Sequence, residues 1–168
     1  QILAFYELSD NSKYDKRIPN YEAYQASLEA NQYYYQNTKK VEDLLLKSYR
    51  LDTTFMEPLL KLAKYYIARR KFDKCDSLVA VIEEKQQSLT GFEKLRLAAI
   101  SARNTGQFEK SAGLNLQIAE RYDANYYNNA VGRYLAANNL KKTLEYLPQI
   151  TNLENIGEIG IRQEGTLF

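Results

Sequence analysis

Residues 59–82 read LLKLAKYYIARRKFDKCDSLVAVI, and this stretch spells out two helices and the turn between them. Leu59, Leu62, Ala63 and Tyr66 recur at i, i+3, i+4 and i+7, which places them on one face of a helix. Arg69-Arg70-Lys71 breaks the pattern, and Cys75, Leu78, Val79 and Ile82 resume it. Neither limb alternates apolar and polar residues, so strands are not expected. Each helix has one apolar face to bury, and facing each other across the turn lets them do so.

The unit recurs along the chain. Breaks of the same texture stand at Gln36-Asn37-Thr38-Lys39-Lys40, Thr105-Gly106-Gln107-Phe108 and Asn138-Asn139-Leu140. Their anchors Thr38, Phe72, Phe108 and Leu140 lie 34, 36 and 32 residues apart. Potential N-caps Asn20, Thr54, Thr90 and Asp123 keep a matching beat of 34, 36 and 33. Thr54 with Glu57, and Thr90 with Glu93, make the T-x-x-E capping box, in which hydroxyl and carboxylate each satisfy an orphan N–H. Leu95, Ala98, Ala99 and Ala102 repeat the helical face, as do Tyr127, Ala130, Val131 and Tyr134. The partner helices are expected to bury Leu114 and Ile118, then Leu144 and Leu147.

These marks predict helices over 20–34, 38–51, 54–69, 72–87, 91–104, 108–121, 124–137 and 140–148. Residues 1–19, with Ile2, Leu3, Phe5, Tyr6 and Leu8, read as a short helix and linker. Residues 20–150 form the repeat domain. Residues 151–168, with Leu153, Ile156 and Ile159, read as a tail or the start of a further helix. The chain opens on Gln1 with no leader-like segment, and is expected to be a piece of a longer protein.

This array resembles the tetratricopeptide repeat (TPR) family, whose unit of about 34 residues is a helical hairpin. Leu59 to Ile82 carries the resemblance best, with Leu, Leu-Ala and Tyr on the first helix and Cys75 in the slot that members usually fill with Ala. Ala63, Ala99 and Val131 fill the small position of the first helix, whereas Glu29 does not. The resemblance implies an all-α, right-handed α-α superhelix of about four hairpins. The sequence style is similar to that of bacterial TPR regions attached to signalling or regulatory proteins.

Composition excludes much else. There are no histidines and one cysteine among 168 residues, so His-based triads, His/Cys zinc cages and intrachain disulfides lack their parts. Cys75 falls on a core-facing stripe with no histidine to lower its pKa, and reads as packing rather than as a nucleophile. Glu42-Asp43 and Glu83-Glu84 are adjacent on helices, point about 100° apart and read as solvated surface. No phosphate-cradling or calcium-loop motif occurs, no cofactor is implied, and the chain reads as non-enzymatic. With 23 Lys+Arg against 21 Asp+Glu, the net charge of +2 argues against nucleic acid as partner. No apolar run is long enough to enter a bilayer. One free Cys suits a cytoplasmic or a periplasmic compartment equally, and oligomeric state is left open.

What remains is recognition. The resemblance implies that the first helices line a concave groove for a protein or peptide segment, which a segment of the parent chain would also satisfy. On that register Tyr33, Tyr34, Lys64, Ile67, Arg96, Arg103 and Asn128 lie on or near the groove, bordered by Lys61 and Arg133. The 15 tyrosines supply contact area with few rotors. Spaced cations above an apolar floor would suit an acidic segment or a C-terminal carboxylate. Ala26, Ala30 and Ile100 occupy places of the carboxylate clamp used by chaperone-binding members, so that clamp is not expected. A self-associating scaffold, a helical-repeat RNA binder and an enzyme using Tyr, Lys and carboxylates are the rival readings.

Overall fold

The computed structural model describes residues 18–150. The expectations for Ile2–Leu8 and for residues 151–168 lie outside the described residues. Among those described there are eight α-helices and no strand: α1 (Tyr21–Gln32), α2 (Thr38–Leu51), α3 (Glu57–Ala68), α4 (Phe72–Glu83), α5 (Gly91–Asn104), α6 (Phe108–Arg121), α7 (Tyr126–Ala136) and α8 (Leu140–Tyr146). Single 3₁₀ turns follow at Gln86–Ser88 and Leu147–Gln149. The described residues divide into two compact units, 18–97 and 98–150, with the boundary inside α5. In the first, α1 packs on α2, α2 on α3 and α3 on α4; in the second, α6 packs on α7 and α7 on α8.

The turns inside the hairpins show why the period holds. Arg70, Gly106 and Asn138 all adopt left-handed backbone, at φ +56°, +74° and +57°. Each closes the same Schellman motif, with paired N–H bonds reaching back over the helix end. These are Lys71 to Tyr66 and Arg70 to Ile67, Gln107 to Ala102 and Gly106 to Arg103, and Asn139 to Tyr134 and Asn138 to Leu135. No heavy atom lies within 4 Å of where a Cβ on Gly106 would sit. Gly106→Ala should therefore cost only the left-handed penalty, about 1–2 kcal/mol in a denaturant melt.

The first hairpin departs from this pattern. Its helices are joined by five residues, 33–37, where the other three hairpins use three. Its first helix accordingly buries Ala23, Ala26, Ser27 and Ala30 and leaves Leu28 and Glu29 exposed. Ser27 thus takes the small position that a strict period assigns to Glu29, and the extra residues hold Tyr33-Tyr34-Tyr35.

The second helices share one buried small-residue slot: Val41, Cys75, Ser111 and Thr143. In the second unit, the Ser111 hydroxyl donates to the Ala99 carbonyl at 2.8 Å, closing α6 onto α5. In the first, Ser48 on α2 donates to Ala23 on α1 at 2.6 Å. Leu144 is not buried as expected but 67% exposed. Thr143 holds the slot, and a helix turns by about 100° per residue, so Leu144 points along the flank.

Two of the N-terminal marks work differently from their sequence signature. Thr90 and Glu93 do form the reciprocal box, Glu93 accepting from the Thr90 N–H at 2.9 Å and Thr90 from the Glu93 N–H at 3.2 Å. Thr54 does not cap α3, which begins after Met56 with Pro58 in its first turn. Its N–H and hydroxyl both donate to Asp52, at 3.0 and 2.7 Å, and the Asn20 N–H donates to the other Asp52 oxygen at 2.9 Å. Asp123 likewise accepts from the Asn125 N–H, in a turn before α7 rather than at its cap.

Asp52 gives the first unit an acid-sensitive tie. Burial alone would raise its pKa, but the Asn20 and Thr54 donors outweigh burial and hold it below the ordinary 3.8. Its contribution is present above that value and is lost as pH falls through the lower folded pKa. The stability gap between wild type and Asp52→Asn, measured by urea melts, should be about 1–2 kcal/mol at neutral pH and shrink below about pH 4.

Candidate functional site

Of the groove residues expected from the sequence, Tyr33, Tyr34, Lys64, Ile67 and Arg96 belong to the first unit, and Arg103 and Asn128 to the second. Tyr33 and Tyr34 lie in the turn after α1, not on the helix. The Lys40 ammonium stands 3.6 Å above the Tyr33 ring centroid. The Tyr34 ring meets Tyr35 and Tyr65 edge-on, at 5.1 and 4.9 Å, and its carbonyl accepts from Arg69 at 3.0 Å. Both tyrosines are half-buried, so each keeps some surface while helping to lock the turn.

Lys64 is half-buried on α3, and its neighbour Lys61 donates to the buried Ser27 hydroxyl at 3.1 Å. Ile67 is buried and belongs to the core. Arg96 is only 6% exposed and forms a two-pronged pair with Glu57 on α3, one prong at 3.1 Å. Its guanidinium lies against Phe92, 5.2 Å from the ring centroid. Arg96 is thus tied into the helix packing of the first unit. Arg103 and Asn128 are half-buried.

A second charged cluster escaped the sequence reading. Glu42 is half-buried, not solvated surface, and accepts from Lys71 at 2.8 Å, with Lys74 at 3.5 Å. Burial works to raise its pKa, but the two lysines prevail and lower it. Burial, and then Glu42, push the Tyr66 hydroxyl upward. The cluster ties α2 to the turn between α3 and α4. Its signal in sequence is faint, a carboxylate 29 residues from its lysine.

Arg133 stands out in the second unit. It is 7% exposed on α7, in the place two repeat periods after Tyr65. Burial first, and the Arg103 guanidinium second, push its pKa down to about 10. Its side chain makes no ion pair or hydrogen bond with a described residue.

Cys75 is fully buried on α4 in the slot that its spacing suggested. Among the described residues no three His, Cys, Asp or Glu side chains converge as metal ligands. An open recess of about 470 Å³ in the first unit is lined mostly by polar residues, among them Thr53, Thr54, Glu83 and Lys85. No described helix is long and apolar enough to cross a membrane. Comparison with protein-family models, with curated proteins and with solved structures returned no match.

Proposed function

We propose that the chain is a non-enzymatic interaction module, a TPR-like array whose first helices hold a segment of another protein or of its own parent chain. The reading is supported above all by the recurrence of one hairpin design, with the same Schellman turn three times and the same small-residue slot four times. Repetition of this kind builds each unit's face from short local contacts, and a rigid face loses little entropy on binding. The half-buried, chemically mixed residues Lys64, Tyr33 and Tyr34 in the first unit, and Arg103 and Asn128 in the second, supply contact area and hydrogen bonds.

The test is quantitative capture of proteins from an extract of the expressing cells, comparing wild type with Lys64→Glu and, separately, Arg103→Glu. At least one protein recovered by the wild type should fall about tenfold with a folded variant, since reversing a contacting charge adds repulsion to a lost bond. Identical recovery by both folded variants would refute the assignment. Arg96 is unsuitable for this test, because changing it breaks the pair with Glu57.

A further inference from the structure

The turn between α3 and α4 carries an arginine where its siblings carry residues suited to the backbone. Gly106 and Asn138 adopt left-handed φ readily, whereas Arg70, at φ +56°, bears a steric cost through its Cβ. Nothing in the described chain offsets that cost. The Arg70 side chain is exposed and makes no hydrogen bond or ion pair with a described residue. A disfavoured backbone kept without an internal gain points to an external one. The surroundings agree. Arg69 is exposed yet held in place, its guanidinium 5.3 Å from the Tyr65 ring centroid and donating to the Tyr34 carbonyl at 3.0 Å. That bond sets the turn of the second hairpin against the turn of the first. There the Tyr34 ring meets Tyr35, which is 63% exposed, at 5.1 Å, and Lys39 stands exposed in the first turn of α2. Glu29 lies 3.6 Å from Lys40, and Glu42 serves both Lys71 and Lys74. Lys39, Arg69 and Arg70 have no carboxylate partner among the described residues, so this edge carries surplus positive charge next to an exposed ring.

We propose that Arg70, Arg69 and Lys39 form a docking surface, at the turn edge of the first unit, for an acidic segment of a partner protein. The surface includes neither side chain reversed in the capture test, and it rests on the interaction reading only in taking the ligand to be a protein. Planar guanidinium forks match carboxylates in two-pronged geometry, and Arg69 is already ordered for the purpose. An anionic bilayer engages clusters of about four to eight Lys/Arg, and a nucleic acid a continuous track of phosphates. Lys39, Arg69 and Arg70 beside one exposed tyrosine suit a short run of Asp or Glu instead.

The test uses the full chain and fluorescent hexaglutamate, followed by anisotropy at constant ionic strength. Hexaglutamine, oligothymidylate and vesicles of equimolar phosphatidylcholine and phosphatidylserine are the comparison probes. Wild type should bind hexaglutamate saturably and more tightly than any of the three. Arg70→Asn should weaken that binding about tenfold, whereas Lys110→Asn, which removes the same charge from an exposed place in the second unit, should leave it unchanged. Without ligand, Arg70→Asn should melt no lower than wild type, because asparagine suits the left-handed backbone. A lower melting temperature would show that the arginine is bonded within the fold, and would overturn the proposal. So would undiminished binding by Arg70→Asn, equal weakening by Lys110→Asn, or preference for the oligonucleotide or the vesicles. Capture that depends on Lys64 without hexaglutamate binding would leave the interaction reading standing and remove this one. Hexaglutamate binding that depends on Arg70, with capture indifferent to Lys64 and Arg103, would do the reverse.

Discussion

Replacing Tyr65 by Ala is expected to destabilise the first unit by about 3–5 kcal/mol, the usual range for deleting a buried aromatic ring. Tyr65 has no exposed surface, meets Tyr34 edge-to-face at 4.9 Å and lies under the Arg69 guanidinium at 5.3 Å. An aromatic pair of this geometry adds roughly 0.5–1.5 kcal/mol beyond burial, so the cost should fall toward the upper end. Tyr65→Phe should act in the opposite direction. The hydroxyl is sealed without a hydrogen-bond partner, and its removal relieves a desolvation penalty of about 1–3 kcal/mol, offset in part by the lost packing. Urea melts of the two variants check both signs. Loss of stability in Tyr65→Phe would mean that the hydroxyl is bonded in solution.

Glu57→Ala should cost about 3 kcal/mol. The carboxylate is the two-pronged partner of Arg96, whose side chain is 7% exposed, so its deletion takes both of those bonds from a desolvated cation lying against Phe92. Breaking a buried pair from one side typically costs about 3–5 kcal/mol, and the partial exposure of Glu57 places it at the low end. Glu57→Leu combined with Arg96→Leu should recover most of that loss, because neither charge is then left alone. Thermal melts of the single and double variants measure the coupling. Simple additivity would show that the pair is not coupled.

How far the sequence could be read follows from these particular residues. Helix positions were legible because both signals are local: an apolar face at 3.6-residue spacing, and turns punctuated by Gly106 or Asn138-Asn139. All eight expected helices are present, shortened at several ends. The first hairpin misled because its turn has two further residues, and a strict period then assigns the small position to Glu29 rather than Ser27. Thr54 carried a full capping-box signature, but Asp52, two residues away, outcompeted the helix end for its N–H and hydroxyl.

The candidate site was less legible, because charge pairing is not local. Arg96 looked like a groove cation on its own helix and turns out to be bound by a carboxylate 39 residues earlier. Arg133 seemed only to border the groove, because nothing in sequence shows that it is buried. In the first unit, Lys61 and Ser27 stand 34 residues apart, Arg69 and Tyr34 35, and Arg96 and Glu57 39, so no single spacing in the sequence identifies the partner.

The central claim is that first helices, not second helices, meet the partner. Lysine footprinting tests it most directly: brief acetylation of the chain, alone and with the recovered partner at saturation, read by peptide mass spectrometry. Lys64 on α3 should lose reactivity several-fold on binding, while Lys47 on α2 and Lys110 on α6 should not change. Protection of Lys47 and Lys110 with Lys64 unchanged would contradict the account.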